Sequence, residues 1–154
     1  MNRLLALLAV LFALAAPACT NLLVGKKASK NGACFITYSA DSYGMYGRML
    51  HYPAGKHAPG TMRKIVDGDT HKPLGEIPEA PYTYNVVGNI NEHQVAITET
   101  TFGGREELWP KNPVGGIDYV SLMALGLQRA KTAREAIRVM TDLVARYGYA
   151  SEGE

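Results

Sequence analysis

The chain reads as an α+β protein, and three observations lead there. Short β-type runs separated by turn signals recur between Thr20 and Phe102. From Asp118 onward the apolar residues change to a helical period. Ahead of both, Met1 to Ala18 has the make-up of a leader rather than of a folded element.

The leader has a basic start at Arg3, an apolar run from Leu4 to Ala16 and the small-residue triplet Ala16-Pro17-Ala18, which fits an A-x-A cleavage site. The run falls well short of the roughly 20 residues of a membrane-spanning helix, and nothing later in the sequence replaces it. The expectation is an exported protein, periplasmic or secreted, with no stable membrane insertion once residues 1–18 are removed. Cleavage leaves 154 − 18 = 136 residues, residues 19–154, enough for one modest core. It removes one of 16 basic side chains, so 15 face 14 acidic ones and the formal charge is +1. That balance argues against nucleic acid as a partner. The Lys26, Lys27 and Lys30 cluster reads as a solvated hairpin end rather than a phosphate site.

The mature chain should open with a β-hairpin. Thr20 to Val24 and Cys34 to Tyr38 are β-type runs, and Asn31-Gly32 between them favours a turn. From Ser42 to Pro81 glycine, proline and histidine are frequent, which predicts loops around one strand near Met62 to Val66. A second β-pair is expected from Tyr82 to Ile90 and from Gln94 to Phe102, with Asn91-Glu92-His93 as the turn. After the Gly- and Pro-containing stretch Gly103 to Gly116, Asp118 is placed to cap a helix with Val120, Met123, Leu127 and Ala130 on one face. A second helix follows, with Thr132 and Glu135 as a capping box. Ala136, Ile137, Met140, Leu143, Val144 and Tyr147 recur at helical spacing, and Gly148 is placed to end the helix. The two helices read as a hairpin on one face of the sheet.

The chemistry centres on Cys19, because cleavage after Ala18 would put a thiol and a free α-amine on one residue. The thiol has an ordinary pKa of about 8.5 and the amine one of about 7.7 to 8.0, so part of the amine is unprotonated near neutrality. Such an amine can take the proton of its own residue's nucleophile, and the covalent intermediate would be a thioester. The competing reading is a lipoprotein anchored through Cys19. Against it, Pro17 and Ala16 suit an ordinary leader peptidase better than a lipobox, and a strand starts at once instead of a flexible tether. A Cys19–Cys34 disulfide would occupy the thiol, while Cys34, placed inside a strand, reads as a small buried hydrophobe.

The run Cys19-Thr20-Asn21-Leu22-Leu23-Val24-Gly25-Lys26-Lys27-Ala28-Ser29, followed by Asn31-Gly32, resembles the opening of the C69 family of dipeptidases, which are N-terminal-nucleophile hydrolases. The likeness continues through Thr37 to Ser42, Val86 to Gln94, Thr98 to Glu107 and Leu127 to Ala136, spanning most of residues 19–154. The resemblance implies an αββα sandwich of two stacked antiparallel sheets, present here in part. It also implies hydrolysis of dipeptides with Cys19 as nucleophile and no metal or organic cofactor. Asp41 carries over as the residue that orients the α-amine, with a plain turn-forming acid as its alternative.

In the related choloylglycine and penicillin-V acylase branch an arginine stands three residues before that aspartate, and here the position holds Tyr38. Thr101 occupies the place of an oxyanion donor, where strand packing is the other reading. Asn91 and Glu92 match the family's Asn-Glu pair, which a turn would also explain. Glu99, two residues from Thr101 on one strand face, is a candidate to receive a substrate ammonium group. An amidase of the same fold acting on acyl-amino-acid or bile-salt conjugates is the nearest alternative function.

The remaining candidates are weaker. His51, His57, His71 and His93 lack metal-ligand spacing, Gly103-Gly104 and Gly115-Gly116 lack the lysine and hydroxyl residue of a phosphate loop, and Trp109 reads equally as groove lining or loop anchor. Family members run on beyond Glu154, so the resemblance implies an N-terminal portion, inactive alone and prone to self-association as a homo-oligomer.

Overall fold

The structure is a computed structural model that describes residues 19–40, 47, 49–100, 105, 107 and 116–151. The chain falls into two compact units, Met1–Tyr46 and Gly47–Glu154.

In the first unit β1 (Thr20–Val24) and β2 (Phe35–Ser39) form the expected antiparallel hairpin, in register from Thr20↔Ser39 to Val24↔Phe35. The connection is a longer loop from Gly25 to Cys34, in which the Asn31 side chain accepts from the Ala33 N–H at 3.1 Å and Gly32 takes a positive φ of 74°. Cys34 therefore precedes β2 instead of lying in it, and it is exposed, not the buried hydrophobe expected. Both cysteines are free thiols.

The second unit begins with β3 (His51–Tyr52), β4 (Gly55–Lys56), β5 (Met62–Val66) and β6 (Pro73–Pro78). Strand β5 falls where the sequence predicts it, and β6 is the partner the sequence hides. Proline at both ends and Gly75 within make β6 read as loop, yet Met62 pairs with Pro78 and Ile65 with Gly75, with a register shift between Ile65 and Val66. The turn between them is held by Asp67, whose carboxylate accepts from the N–H groups of Thr70 at 2.7 Å and Asp69 at 3.1 Å and from the Thr70 hydroxyl at 2.8 Å. The Thr70 N–H is the largest of the contacts that hold this carboxyl below its ordinary pKa.

The stretch from Tyr82 departs most from expectation. In place of two long strands it contains β7 (Tyr82–Thr83), β8 (Val86–Val87) and β9 (Ile90–Asn91). Strands β8 and β9 pair across Gly88-Asn89, and Gly88 supplies the positive φ of 55° that a two-residue II′ turn requires at its first position. The chain then turns again. Val95 O accepts from Asn91 N–H at 2.9 Å, Gln94 adopts a φ of 62°, and a single Ile90↔Ala96 bridge is all that follows of the predicted second strand up to Thr100. Thr101 and Phe102 lie outside the described residues. The α+β class holds, while the sheets among the described residues are four small antiparallel pieces, β1-β2, β3-β8-β9, β4-β7 and β5-β6, rather than the two broad sheets of a sandwich.

The helices follow the sequence closely. Helix α1 (Tyr119–Arg129) is capped by Asp118, whose side chain accepts from the Ser121 N–H. Helix α2 (Ala133–Tyr147) is capped by Thr132, and Gly148, at φ 85°, donates its N–H to Val144 O and ends it. Glu135 completes the box one residue earlier than the usual pattern, accepting from the Lys131 N–H at 2.7 Å. A parallel bridge between Ile117 and Tyr149 ties the two ends of the helical hairpin together.

The buried arc of α1 takes in only Leu127 and Ala130 of the predicted stripe, while Val120 and Met123 are half-buried and Leu122 and Leu125 are buried in their place. Leu122 and Leu125 join Ile65, Leu74, Ile77, Ile117 and Leu143 in one core cluster, while Leu127 and Ala130 join Val86, Val95 and Ala136 in another. Helix α1 lies between these clusters, packed against α2 on one side and against β7, β8 and β9 on another, which explains why Leu122 and Leu125 are buried as well as Leu127. On α2 the expected stripe holds except at Ile137, which is 62% exposed.

An ion-pair group links the hairpin to α1. Glu79, whose side chain is 4% exposed, accepts from Arg129 at 2.8 Å and from Arg63 at 3.4 Å, and its own carboxylate also accepts from the Ala80 N–H at 2.9 Å. Burial acts to raise the Glu79 carboxyl pKa, but the Ala80 N–H and the two guanidinium groups outweigh it and hold the carboxyl below its ordinary value.

Candidate active site

The hairpin register places Cys19. With Thr20 opposite Ser39 and Asn21 opposite Tyr38, the alternation of side chains puts Cys19, Asn21, Leu23, Ile36 and Tyr38 on one face. Of these Cys19, Asn21, Ile36 and Tyr38 are half-buried and Leu23 is exposed, whereas on the other face Thr20, Leu22, Phe35, Thr37 and Ser39 are exposed and Val24 is half-buried. Tyr38 is the diagonal cross-strand neighbour of Cys19, within reach of a long side chain. Its hydroxyl lies 3.8 Å from the Cys19 sulfur, in a partly buried contact that either atom can donate. The nucleophile candidate thus stands at the head of the first strand with one polar side chain against its sulfur. Asp41 lies outside the described residues.

In the second unit the Asn-Glu pair serves the fold. Asn91 is 5% exposed, and its amide donates to Leu127 O at 2.8 Å and to Ala130 O at 2.7 Å, closing the C-terminal end of α1. Its side-chain oxygen accepts from the N–H groups of His93 and Val95, both at 3.0 Å. Both donors and both acceptor positions of the amide are engaged within the unit, so Asn91 organises the turn and the helix end rather than offering a group to substrate. Glu92 is exposed, and its carboxylate accepts from the Asn85 N–H at 2.9 Å.

Glu99 is half-buried and lines a cavity of about 290 Å³. The other walls come from Ile97 and Thr98, from Tyr119, Leu122 and Met123 on α1, from Met140 and Val144 on α2, and from Tyr149. The cavity is therefore mostly apolar with one carboxylate at its edge. Sequence reading singled out Glu99 by its strand spacing to Thr101, but the wall it shares with α1 and α2 becomes visible only once the helical faces at Leu122–Met123 and Met140–Val144 are set opposite Ile97 to Glu99. Thr101 and Trp109 lie outside the described residues.

His51, His57 and His93 have side-chain partners. His51 shares a hydrogen bond of 2.8 Å with Asn85, His57 one of 2.9 Å with Thr83, and His93 meets Tyr84 edge to face with centroids 4.5 Å apart. Among the described residues no three His, Cys, Asp or Glu side chains come together as a metal-binding group, and no helix is long and apolar enough to cross a membrane.

A probable dipeptidase from Latilactobacillus sakei is 31% identical to this chain, in an alignment that takes in 86% of the chain and 31% of that relative. The chain thus spans about a third of the length of this curated relative. No solved structure matches it. The sequence profile of peptidase family C69 matches residues 46–154, well over half of the sequence, and the chain belongs to that family.

Proposed function

We propose that the protein acts in the hydrolysis of dipeptides after export, with Cys19 as an amino-terminal nucleophile. The observation that carries this reading is the combination of membership of a peptidase family with a half-buried cysteine at the head of the first strand, directly after a leader-like segment. The dipeptidase relative supports the substrate class.

In the proposed reaction the α-amine of Cys19 takes the thiol proton and the sulfur attacks the carbonyl carbon of the peptide bond. The C–N bond breaks as the proton passes from the ammonium to the leaving nitrogen, which departs as the amino group of the C-terminal amino acid. The N-terminal amino acid remains as a thioester on Cys19. Water, losing a proton to the same amine, adds to the thioester carbonyl, the C–S bond breaks with its electron pair on sulfur, and the proton returns to restore the thiol. Asp41 would hold and stabilise the protonated amine, and Thr101 would supply a donor to the carbonyl oxygen. Glu99 would receive the free ammonium of the dipeptide. The N-terminal-nucleophile sandwich is the frame this mechanism would use, with Cys19 on its first strand.

The test is a substrate panel on the exported protein, comparing free dipeptides with N-acylated amino acids. Cleavage of free dipeptides that Cys19→Ala reduces to background supports the proposal. Preference for N-acylated amino acids would instead favour an amidase, and dipeptide cleavage that persists undiminished in Cys19→Ala would remove the reading of Cys19 as the nucleophile.

A further inference from the structure

We infer that Tyr38 is the hydrogen-bond donor that sets the reactivity of the Cys19 sulfur, an inference that rests on the reading of Cys19 as the nucleophile. The backbone dictates the meeting. Cys19 precedes the Thr20↔Ser39 pair and Tyr38 follows Thr37 opposite Asn21, so the phenol reaches diagonally across the hairpin on the face that carries the thiol. The separation of 3.8 Å lies within reach for sulfur, whose radius exceeds that of oxygen.

A phenol with an ordinary pKa of about 10 keeps its proton throughout the range in which a cysteine thiol titrates, so it can donate at every stage of the reaction. A neutral thiol is a weak acceptor and a thiolate is a strong one, so the contact is strongest with the charged sulfur that attacks the carbonyl. During breakdown of the thioester the same hydroxyl donates to the departing sulfur as the C–S bond breaks and its electron pair returns to sulfur. Tyr38 touches the reacting atom and acts on both halves of the cycle.

The test uses the full chain carrying Cys34→Ser, so that Cys19 is the sole thiol, and follows its alkylation by iodoacetamide by intact mass across pH. Tyr38→Phe keeps the ring and removes the donor. The expected result is an alkylation rate near neutral pH about three- to fourfold lower, of the order of one lost hydrogen bond to the attacking sulfur. The thermal unfolding midpoint should stay unchanged, which separates the effect from loss of packing. An unchanged rate would overturn the inference. Because alkylation is read without any peptide, the two proposals fail separately. A lowered rate in a chain whose dipeptide cleavage survives Cys19→Ala sustains the role of Tyr38 at the sulfur and removes Cys19 as the nucleophile, and an unchanged rate in a chain whose dipeptide hydrolysis depends on Cys19 does the reverse.

Discussion

The β1–β2 and β5–β6 hairpins are built from strands of similar length and face opposite circumstances. Strands β5 and β6 bury Ile65, Leu74 and Ile77 in a core shared with Leu122 and Leu125 of α1 and Leu143 of α2. Within β1 and β2 no residue is fully buried, and Leu22, Leu23 and Phe35 are 58%, 73% and 52% exposed. Strand propensity does not separate the two, since β1 and β2 are the better strand sequences and β6 begins and ends with proline. What differs among the described residues is that β5–β6 lies on an apolar surface of its own unit. A two-stranded hairpin alone is marginal in water, so the stability of β5–β6 comes from the helices it covers.

The largest effect that would sharpen this contrast is in the core. Ile65→Ala should destabilise the chain by about 2–4 kcal/mol in denaturant unfolding, because a side chain 2% exposed leaves a cavity between the hairpin and the helices. Leu23→Ala, at the exposed hairpin, should change the stability read in the same way by less than about 0.5 kcal/mol. Equal losses at the two positions would break the comparison.

Between these extremes lies Glu79, and its contribution depends on pH. Because its folded pKa is held below the ordinary 4.5, the ionised form is favoured in the folded state. Its stabilisation is therefore fully present above about pH 4.5 and is lost as the pH falls through the folded value. Glu79→Gln should cost about 1 kcal/mol near neutrality and should flatten the acid limb of the stability curve. A variant that loses stability equally at every pH would show that the carboxylate acts through packing alone.

The parts of the fold legible in the sequence are those decided locally. The caps Asp118, Thr132 with Glu135, and Gly148 are fixed by residues within a turn of each helix end, and the structure shows all of them in place. The Tyr82 to Thr100 stretch was not legible because its course is set from a distance. Asn91, expected in a turn, lies in β9 and its amide holds Leu127 O and Ala130 O, 36 and 39 residues away, and a periodic apolar pattern carries no sign of those bonds. Strand β6 was hidden for a different reason, since Pro73 and Pro78 can end a strand as readily as break one. The Glu79 group joins residues 16 and 50 positions apart and has no local signature.

The candidate site divides in the same way. Cys19 could be singled out because its chemistry depends on its place after a leader-like segment, whereas Tyr38 was noted only for standing where a related branch has arginine and was given no role. That the two side chains meet follows only from the hairpin register. Glu99 was read from strand spacing, but it lies in a segment that forms no ladder, and its surroundings are two helical faces instead.

The most direct measurement is the intact mass and amino-terminal sequence of the product exported when the reading frame is expressed with its own leader. The account predicts a chain that begins at Cys19 with a free amine and a free thiol. A lipid-modified, acylated Cys19 would contradict it, since neither the nucleophile nor its base would remain.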